Sequence, residues 1–182
     1  IRDVAVGLVG SERCIRDRGN GFPVAAFGGK KEVMDTLVPG QVSHGGTYTA
    51  NTVGMAAADA VLELLETQPI LDTIARRGQR LRSGLDEILS DAGVPHIMTG
   101  LPAMQGFIVG DVPVKELRDL KNHDDDFYDT VMMNLFELGV WAEADAREPW
   151  FLCYDHDDAI IDETLNKFED ALRKTISDTG GS

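Results

Sequence analysis

Apolar residues recur at steps of three and four along most of the chain, which is the spacing of one face of an α-helix. This spacing predicts four longer helices, at about 52–66, 69–92, 124–138 and 157–176. A shorter helix is expected at 30–37, where Pro39-Gly40 stops it. Pro69 suits a first helical turn, and Gly93 and Gly139 suit the residue that follows a helix.

Each longer helix has a recognisable apolar face. The predicted faces are Val53, Ala57, Val61 and Leu64; Ile70, Ile74, Leu81, Leu85 and Ile88; Phe127, Val131, Leu135 and Leu138; and Ile161, Leu165, Phe168 and Leu172. The first half of helix 52–66 is rich in alanine, which predicts close packing against a neighbouring element.

Short apolar runs outside these helices predict strands. The runs are 24–29, 96–99, 104–109, 140–141 and 150–154. The pattern changes near Gly93: turn, strand and helices precede it, and a compact α+β unit of three or four short strands and two helices follows. We therefore place a domain boundary near Gly93.

Composition narrows the possible functions. The chain has 182 residues, 43% of them hydrophobic and 26% charged, as in a soluble globular protein with a substantial core. A formal charge of −14 argues against binding to nucleic acid or to an anionic membrane. Cys14 and Cys153 form no CxxC pair or disulfide framework, so we expect a cytoplasmic protein. Neither a signal peptide nor a spanning apolar run is recognisable, and no metal-ligand pattern is predicted.

The stretch 44–51, HGGTYTAN, is the first candidate for ligand chemistry. Gly45 and Gly46 allow a tight turn and close approach to a ligand. Thr47 offers a hydroxyl near a helix start, which suits a phosphate or another anion. The alternative is an ordinary Gly-rich turn capped by Thr or Asn, and the segment taken alone favours this alternative.

Four arginines on helix 69–92 form a second candidate for anion binding. They are Arg76, Arg77, Arg80 and Arg82. A solvated helix face is the better interpretation of these side chains than a set of phosphate ligands, because charged side chains on one face of a helix are ordinarily exposed.

Three segments carry a resemblance to a known family. The stretch 19–34, which begins GNGFPVAAFGG, resembles the class III aminotransferases and is closest to their glutamate-1-semialdehyde aminomutase-like branch. HGGTYTANTVGMAAA resembles the family's next signature, and 148–153 with His156 resembles its last strand and the start of its last helix. The resemblance covers about residues 19–176.

The resemblance implies an α/β fold, that of the pyridoxal 5'-phosphate (PLP)-dependent transferases of fold type I. Residues 19–93 would be the C-terminal part of the PLP-binding large domain, and 94–176 a small α+β C-terminal domain. Residues 1–18 would be a non-native or disordered leader, and 177–182 a tail.

The resemblance also assigns roles to particular residues. Thr47 would bind the PLP phosphate of the neighbouring subunit of a homodimer, and Gly46 would let the backbone approach it. Arg147, with Glu148 in a loop facing the substrate, would hold a substrate carboxylate. The alternative for Arg147 is a surface arginine paired with Asp145 or Glu148. His156 is expected to be structural.

The main departure from the family lies at Arg16. In the family, the lysine that binds PLP lies three residues before the first glycine of the turn, and counting back from Gly19 leads to Arg16. Arginine cannot replace that lysine, because its guanidinium is a poor amine nucleophile. Lys30 and Lys31 lie too far along the chain to substitute for it. No catalytic residue is therefore assigned.

Two explanations of this departure remain open. The chain is either a natural pseudoenzyme fragment or a truncated gene product in which residues 1–18 are not native. We favour the second, because the resemblance begins abruptly at Gly19. The upstream half of the family's large domain is also absent.

The expected function is transfer of an amino group between an amine or amino acid and an oxo acid or aldehyde, in a truncated chain that is inactive alone. The alternatives are a glutamate-1-semialdehyde 2,1-aminomutase-type isomerase and a catalytically dead dimerisation or regulatory fragment. A phosphate-binding domain unrelated to PLP is weaker, because it leaves the other two segments unexplained. Thr47 in its HGGTYTAN context and Arg147 favour a transaminase acting on a carboxylate-bearing amine.

Overall fold

The computed structural model describes residues 21–24, 28–38, 41–42 and 45–179. Contacts between Cα atoms divide the chain into two units, one ending at Pro69 and the other beginning at Ile70. This division differs from the boundary that the sequence places near Gly93.

The described part of the first unit contains two helices, α1 (Lys31–Met34) and α2 (Thr52–Thr67). α1 is shorter than the helix predicted at 30–37, and an exposed ion pair joins Lys31 Nζ to Asp35 Oδ2 at 2.7 Å across its end. The predicted strand 24–29 falls largely on residues 25–27, which lie outside the described residues.

Helix α2 has the predicted extent, but its predicted apolar face is only partly covered within the described part of the first unit: Ala57 and Val61 are half-buried, and the other two residues are exposed. Gly54 is the buried position of the helix and lies against Val24. Val53 is 60% exposed and Leu64 is 45% exposed. The close packing expected of the alanine-rich half is therefore not observed among the described residues of this unit.

The second unit contains three longer helices around a small sheet. Its elements are α3 (Ile70–Asp91), β1 (His96–Leu101), β2 (Met104–Val109), a 3₁₀ helix (Leu117–Asn122), α4 (Asp125–Glu137), β3 (Trp150–Phe151) and α5 (Asp158–Thr179). The strands pair antiparallel in the order β1-β2-β3. In the β1–β2 hairpin, His96 pairs with Val109 and Leu101 with Met104; β3 joins through Trp150, which pairs with Gln105.

The core of the second unit is centred on Phe107 of β2. Its ring centroid lies 5.1 Å from that of Tyr128, 6.1 Å from that of Trp150 and 5.6 Å from that of Phe168. α3 contributes three buried leucines to the same core, Leu81, Leu85 and Leu89. Because this face of α3 packs against the sheet and α5, the helix belongs to the second unit and not to the first.

Helices α3 and α4 end in the same way. Gly93 (φ 70°) and Gly139 (φ 83°) take left-handed conformations, and the next residue donates its N–H back into the helix. These bonds run from Val94 to the Leu89 carbonyl (3.0 Å) and from Val140 to the Leu135 carbonyl (3.2 Å). The strand predicted at 140–141 is wrong, because the Val140 N–H closes α4 instead of joining a sheet.

Strand β3 is shorter than predicted and α5 is longer. The strand predicted at 150–154 stops at Phe151, because the Cys153 N–H donates to His156 Nδ1 (3.0 Å) and a turn follows. Asp157 caps α5 as predicted, its Oδ1 accepting from the Ile160 N–H at 2.9 Å. α5 continues through Thr179, so residues 177–179, assigned to a tail, are helical.

Three features of the described residues bear on function. No helix within the described residues is long and apolar enough to cross a membrane. In the same part of the chain, no group of three or more His, Cys, Asp or Glu side chains could hold a metal ion. Cys153 is exposed and carries a free thiol.

Candidate functional site

The turn 45–51 of the first unit carries the predicted phosphate contacts. Two hydrogen-bonded turns follow one another, from the Thr49 N–H to the Gly46 carbonyl (3.0 Å) and from the Asn51 N–H to the Tyr48 carbonyl (3.1 Å). Ala50 takes a left-handed conformation with φ of 55°. This double turn leaves Thr47 exposed to solvent, where its hydroxyl is accessible to a ligand.

Asn51 caps helix α2. Its Oδ1 accepts from the N–H groups of Val53 (3.0 Å) and Gly54 (3.1 Å). These are two of the helix-start donors that an anion would otherwise use. The simpler interpretation of the sequence, a Gly-rich turn capped by Asn, therefore describes the local structure. An anion at Thr47 would depend on its hydroxyl and on the turn, because the N–H groups of Val53 and Gly54 already donate to Asn51.

Gly46 has a steric role in the turn. A Cβ at this position would lie 3.3 Å from Thr49 Oγ1, whereas a Cβ at Gly45 would meet nothing within 4 Å. A side chain at Gly46 would therefore crowd Thr49 beside Thr47. His44, the first residue of the motif, lies outside the described residues.

The loop 143–150 of the second unit carries the predicted substrate contacts. Glu143 Oε1 accepts from the N–H groups of Ala144 (3.0 Å) and Asp145 (3.4 Å). The Glu148 N–H donates to the Asp145 carbonyl at 2.9 Å. The loop is therefore organised by its own side chains and backbone, and it presents Arg147 and Glu148 to solvent.

Arg147 is paired with Asp145, as the alternative interpretation of the sequence expected. Asp145 Oδ1 accepts from the Arg147 backbone N–H (2.9 Å) and from Nε (2.7 Å), and Oδ2 accepts from Nη2. These side-chain and backbone hydrogen bonds from Arg147 lower the pKa of Asp145 to about 2. The hydrogen bond to Asp145 in turn raises the pKa of the Arg147 guanidinium.

The pair leaves part of the guanidinium available. An arginine side chain has five N–H donors, and Asp145 engages the edge formed by Nε and Nη2. Within the described residues Nη1 of Arg147 has no hydrogen-bond partner, and the side chain is 62% exposed. A second carboxylate can therefore bind the edge formed by Nη1 and Nη2 while Asp145 remains in place.

The surroundings of Arg147 are acidic. It lines a groove of about 350 Å³ together with Asp125, Asp129, Glu143 and Asp145. A simple anion would be repelled by these carboxylates, whereas a molecule carrying both an ammonium and a carboxylate matches the mixed charges. The groove thus suits the carboxylate-bearing amine that the sequence favours.

Tyr128 was missed by the sequence reasoning. It lies on α4 with 1% exposure, and its hydroxyl donates to the Glu143 carbonyl at 2.8 Å. Trp150 Nε1 donates to the same hydroxyl at 3.1 Å. The predicted apolar face of α4 contained the neighbouring Phe127, and only the folded structure shows that Tyr128 reaches both ends of the loop.

The sequence favours a solvated face for the four arginines of α3, but in the structure each of them has a hydrogen-bond or ion-pair partner. Arg76 and Arg80 pair with Asp158 and Asp162 of α5. Arg77 is only 16% exposed in its side chain and donates to the Tyr154 carbonyl at 2.6 Å. Arg82 donates to the Thr99 carbonyl at 2.7 Å. These bonds tie α3 to α5 and to β1.

His156 has the structural role expected of it. Its Nδ1 accepts from the Cys153 N–H at 3.0 Å and closes the turn between β3 and α5. The N-cap of α5 is Asp157, one residue later. Arg16 lies outside the described residues.

Comparison with known protein families gives a match over most of the chain. The model of the family described as Aminotransferase class-III matches residues 16–172, a range that includes Arg16. Glutamate-1-semialdehyde 2,1-aminomutase of Methanopyrus kandleri is 33% identical over 155 residues, which are 85% of this chain and 36% of that protein. The chain thus spans about a third of the length of the curated relatives it matches.

Solved structures agree with this match. An omega-transaminase from Sphaerobacter thermophilus superposes with a TM-score of 0.72 at 29% identity, over 87% of this chain and 37% of that one. The FumI protein of Sphingopyxis sp. MTA144, in its PLP internal aldimine form, has a TM-score of 0.75 at 23% identity, over 90% and 36%. The chain therefore shares the α/β fold of these proteins.

Proposed function

The chain belongs to the class III aminotransferases, and we propose that it is the C-terminal part of a PLP-dependent enzyme that transfers an amino group between an amine or amino acid and an oxo acid or aldehyde. The observation that carries this proposal is the family match over residues 16–172. In this arrangement 19–93 would be part of the large domain and 94–176 the small α+β domain of fold type I. A free thiol at Cys153 is compatible with a cytoplasmic location.

The residues of this chain suit the phosphate of PLP but not its covalent attachment. The exposed Thr47 hydroxyl and the backbone at Gly46, which carries no side chain, suit the phosphate. Arg16, at the position of the family's lysine, does not suit covalent attachment, because a guanidinium is not an amine nucleophile. PLP itself, when bound, supplies the electron sink for amino-group transfer. We assign no step through PLP to residues of this chain.

We assign Thr47 to phosphate binding in a homodimer, where it would serve the cofactor of the neighbouring subunit. Its exposure supports this assignment, because a hydroxyl on an open turn is accessible to a second chain. In the full-length protein, Thr47→Val removes the hydroxyl at nearly constant volume and should weaken PLP binding, whereas Thr47→Ser should retain it. Equal PLP affinity of the two variants would exclude the phosphate role.

We assign Arg147 to the substrate carboxylate and place Glu148 beside it. The free guanidinium edge and the mixed charges of the groove support a substrate that carries both an amine and a carboxylate. In this assignment Asp145 holds the guanidinium in its orientation and the substrate takes the remaining donors.

A mutase is the second candidate, because the Methanopyrus kandleri relative is a glutamate-1-semialdehyde 2,1-aminomutase. The two candidates differ in their products. The full-length protein encoded by the gene should transfer the amino group of β-alanine to pyruvate if it is a transaminase. Isomerisation of glutamate-1-semialdehyde without a second substrate would identify it as the mutase.

Arg16 favours a third candidate, a catalytically dead chain that dimerises with an intact relative. We expect no covalent attachment of PLP to this chain. Because PLP also reacts with exposed lysines such as Lys31, the test is stoichiometric: after incubation with an equimolar amount of PLP and reduction with borohydride, mass spectrometry should find no single lysine modified in full. Full modification of Lys30 or Lys31 alone would contradict this expectation. Failure to co-purify with a full-length relative would remove the dimerisation candidate.

Sequencing the gene across the Arg16 codon distinguishes a natural arginine from a truncation artefact.

A further inference from the structure

One buried hydroxyl holds both ends of the loop that carries Arg147. Tyr128 Oη donates to the carbonyl of Glu143, at the start of the loop, at 2.8 Å. It accepts from Nε1 of Trp150, at the end of the loop, at 3.1 Å. The loop 143–150 is therefore closed through a single side chain of α4.

Tyr128 is well suited to such a fixed role. Its ring is 1% exposed and lies against Phe107, with centroids 5.1 Å apart. Burial raises the pKa of the hydroxyl to about 12, so the hydroxyl remains a donor to Glu143 at any ordinary pH. Ring packing and two hydrogen bonds leave the group little freedom to move.

Short contacts lead from the Tyr128 hydroxyl to the guanidinium. The Glu143 side chain accepts from the N–H groups of Ala144 and Asp145, which orients the next turn of the loop. Asp145 then holds the Arg147 backbone N–H and side chain. A shift of Glu143 would therefore be transmitted through these hydrogen bonds to Asp145 and Arg147.

We propose that Tyr128 is a positioning residue for Arg147, which it holds ready for the carboxylate of an amine substrate by closing the loop 143–150 at both ends. This inference rests on the proposed role of Arg147. Tyr128 touches no substrate in this arrangement and acts only through the loop.

The test uses NMR of the chain with the Arg147 Nε–H as reporter and β-alanine as probe. In the wild type, β-alanine should shift this resonance, and ethylamine, which lacks the carboxylate, should not. Tyr128→Phe removes both hydrogen bonds and retains the ring. We expect it to weaken β-alanine binding by about fivefold, the factor that corresponds to about one ordinary hydrogen bond, and to speed exchange of the Arg147 Nε–H.

Thr175→Val is the matched control. It deletes another fully buried hydroxyl, which accepts from Asn134 Nδ2 at 2.9 Å and donates to the Ala171 carbonyl at 3.0 Å, between α4 and α5. A general loss of stability should appear in both variants. A change in the Arg147 resonance and in β-alanine binding should appear only in Tyr128→Phe.

The outcomes separate the two proposals. If β-alanine shifts Arg147 equally in the wild type and in Tyr128→Phe, the positioning role is wrong and the carboxylate role stands. If β-alanine does not shift Arg147 in the wild type, both are wrong. Should Tyr128→Phe not fold, Trp150→Phe removes one of the two hydrogen bonds and should weaken binding by a smaller factor; unchanged binding in that variant would overturn the inference.

Discussion

The two candidate sites are supported in different ways. Arg147 lies on a loop whose ends are fixed in a core of aromatic and aliphatic side chains within the second unit. Thr47 lies on a turn held by its own backbone bonds and by the Asn51 cap. The helix that follows has an apolar face that is only partly covered within the described part of the first unit. The residues that hold the Arg147 loop lie within the second unit. The described residues of the first unit do not fully bury the apolar face of α2. A loop site can therefore be tested in this chain, and the turn site needs the full-length protein.

The largest expected difference in stability between the two units comes from replacing one leucine by alanine in each of them. Leu85→Ala empties a fully buried position of α3 and should lower the free energy of unfolding by about 2–5 kcal/mol. Leu64→Ala removes a side chain that is 45% exposed on α2 and should change it by about 0.5 kcal/mol or less. Guanidinium unfolding followed by far-ultraviolet circular dichroism measures both, because Trp141 and Trp150 lie in the second unit and their fluorescence would not report on α2. Equal effects would show that α2 is buried in solution and that the contrast is false.

A second test concerns the contact between α3 and the β1–β2 turn. A Cβ at Gly78 would lie 2.1 Å from the Pro102 carbonyl oxygen, which is backbone and cannot move aside easily. Gly78→Ala should therefore destabilise the second unit by about 3 kcal/mol. At Gly84 the same atom would meet the two methyl carbons of Leu165 at 2.6 Å and its Cγ at 3.1 Å, all side-chain atoms that can move aside. Gly84→Ala, the control, should be nearly neutral in the same unfolding measurement, and similar losses in both would argue against the contact.

A smaller and local effect is expected in the first unit. Asn51→Ala removes the cap of α2 and should cost about 1 kcal/mol of helix stability. Hydrogen exchange should become faster at the first amides of α2, and the amides of α3 should be unchanged. Asn51→Asp retains a capping oxygen and should behave as the wild type. Faster exchange throughout the chain would show that the two units are energetically coupled.

The smallest effect is the titration of Asp145. Its pKa of about 2 in the folded chain lies below the ordinary value of about 3.9 for an unfolded aspartate. The pair therefore contributes its full stability above about pH 4 and loses it as the pH falls towards 2. A carboxyl NMR titration should give the low pKa in the wild type and a higher pKa in Arg147→Gln, which loses the guanidinium but keeps the backbone hydrogen bond to Asp145. An unchanged pKa in the variant would mean that Arg147 does not hold Asp145.

Helix positions followed from the sequence more reliably than strands. The stripe Ile161, Phe168 and Leu172 of α5 is buried as predicted, because a helical face needs only one neighbour to bury it. Leu138 was placed on the corresponding face of α4, but it lies at the C-cap and is exposed. Strands depend on distant partners, so Val140 could be read as a strand although its N–H closes a helix.

The candidate sites also have one part that can be predicted from the sequence and one part that cannot. The family resemblance points to Thr47 and Arg147, and the sequence offers Asp145 or Glu148 as an alternative partner of Arg147, of which the structure selects Asp145. Nothing in the sequence indicates that Tyr128 reaches Glu143 and Trp150, because these residues meet only after α4 packs beside β3.

Local periodicity, glycine positions and motifs are enough to predict the longer helices, their ends at Gly93 and Gly139, and the family. Only the folded structure shows which unit α3 joins, which N–H groups Asn51 occupies at the start of α2, and how the loop 143–150 is held. Those outcomes depend on which distant groups pack against an apolar face or form a hydrogen bond with a polar atom. Local sequence patterns do not reveal these distant partners.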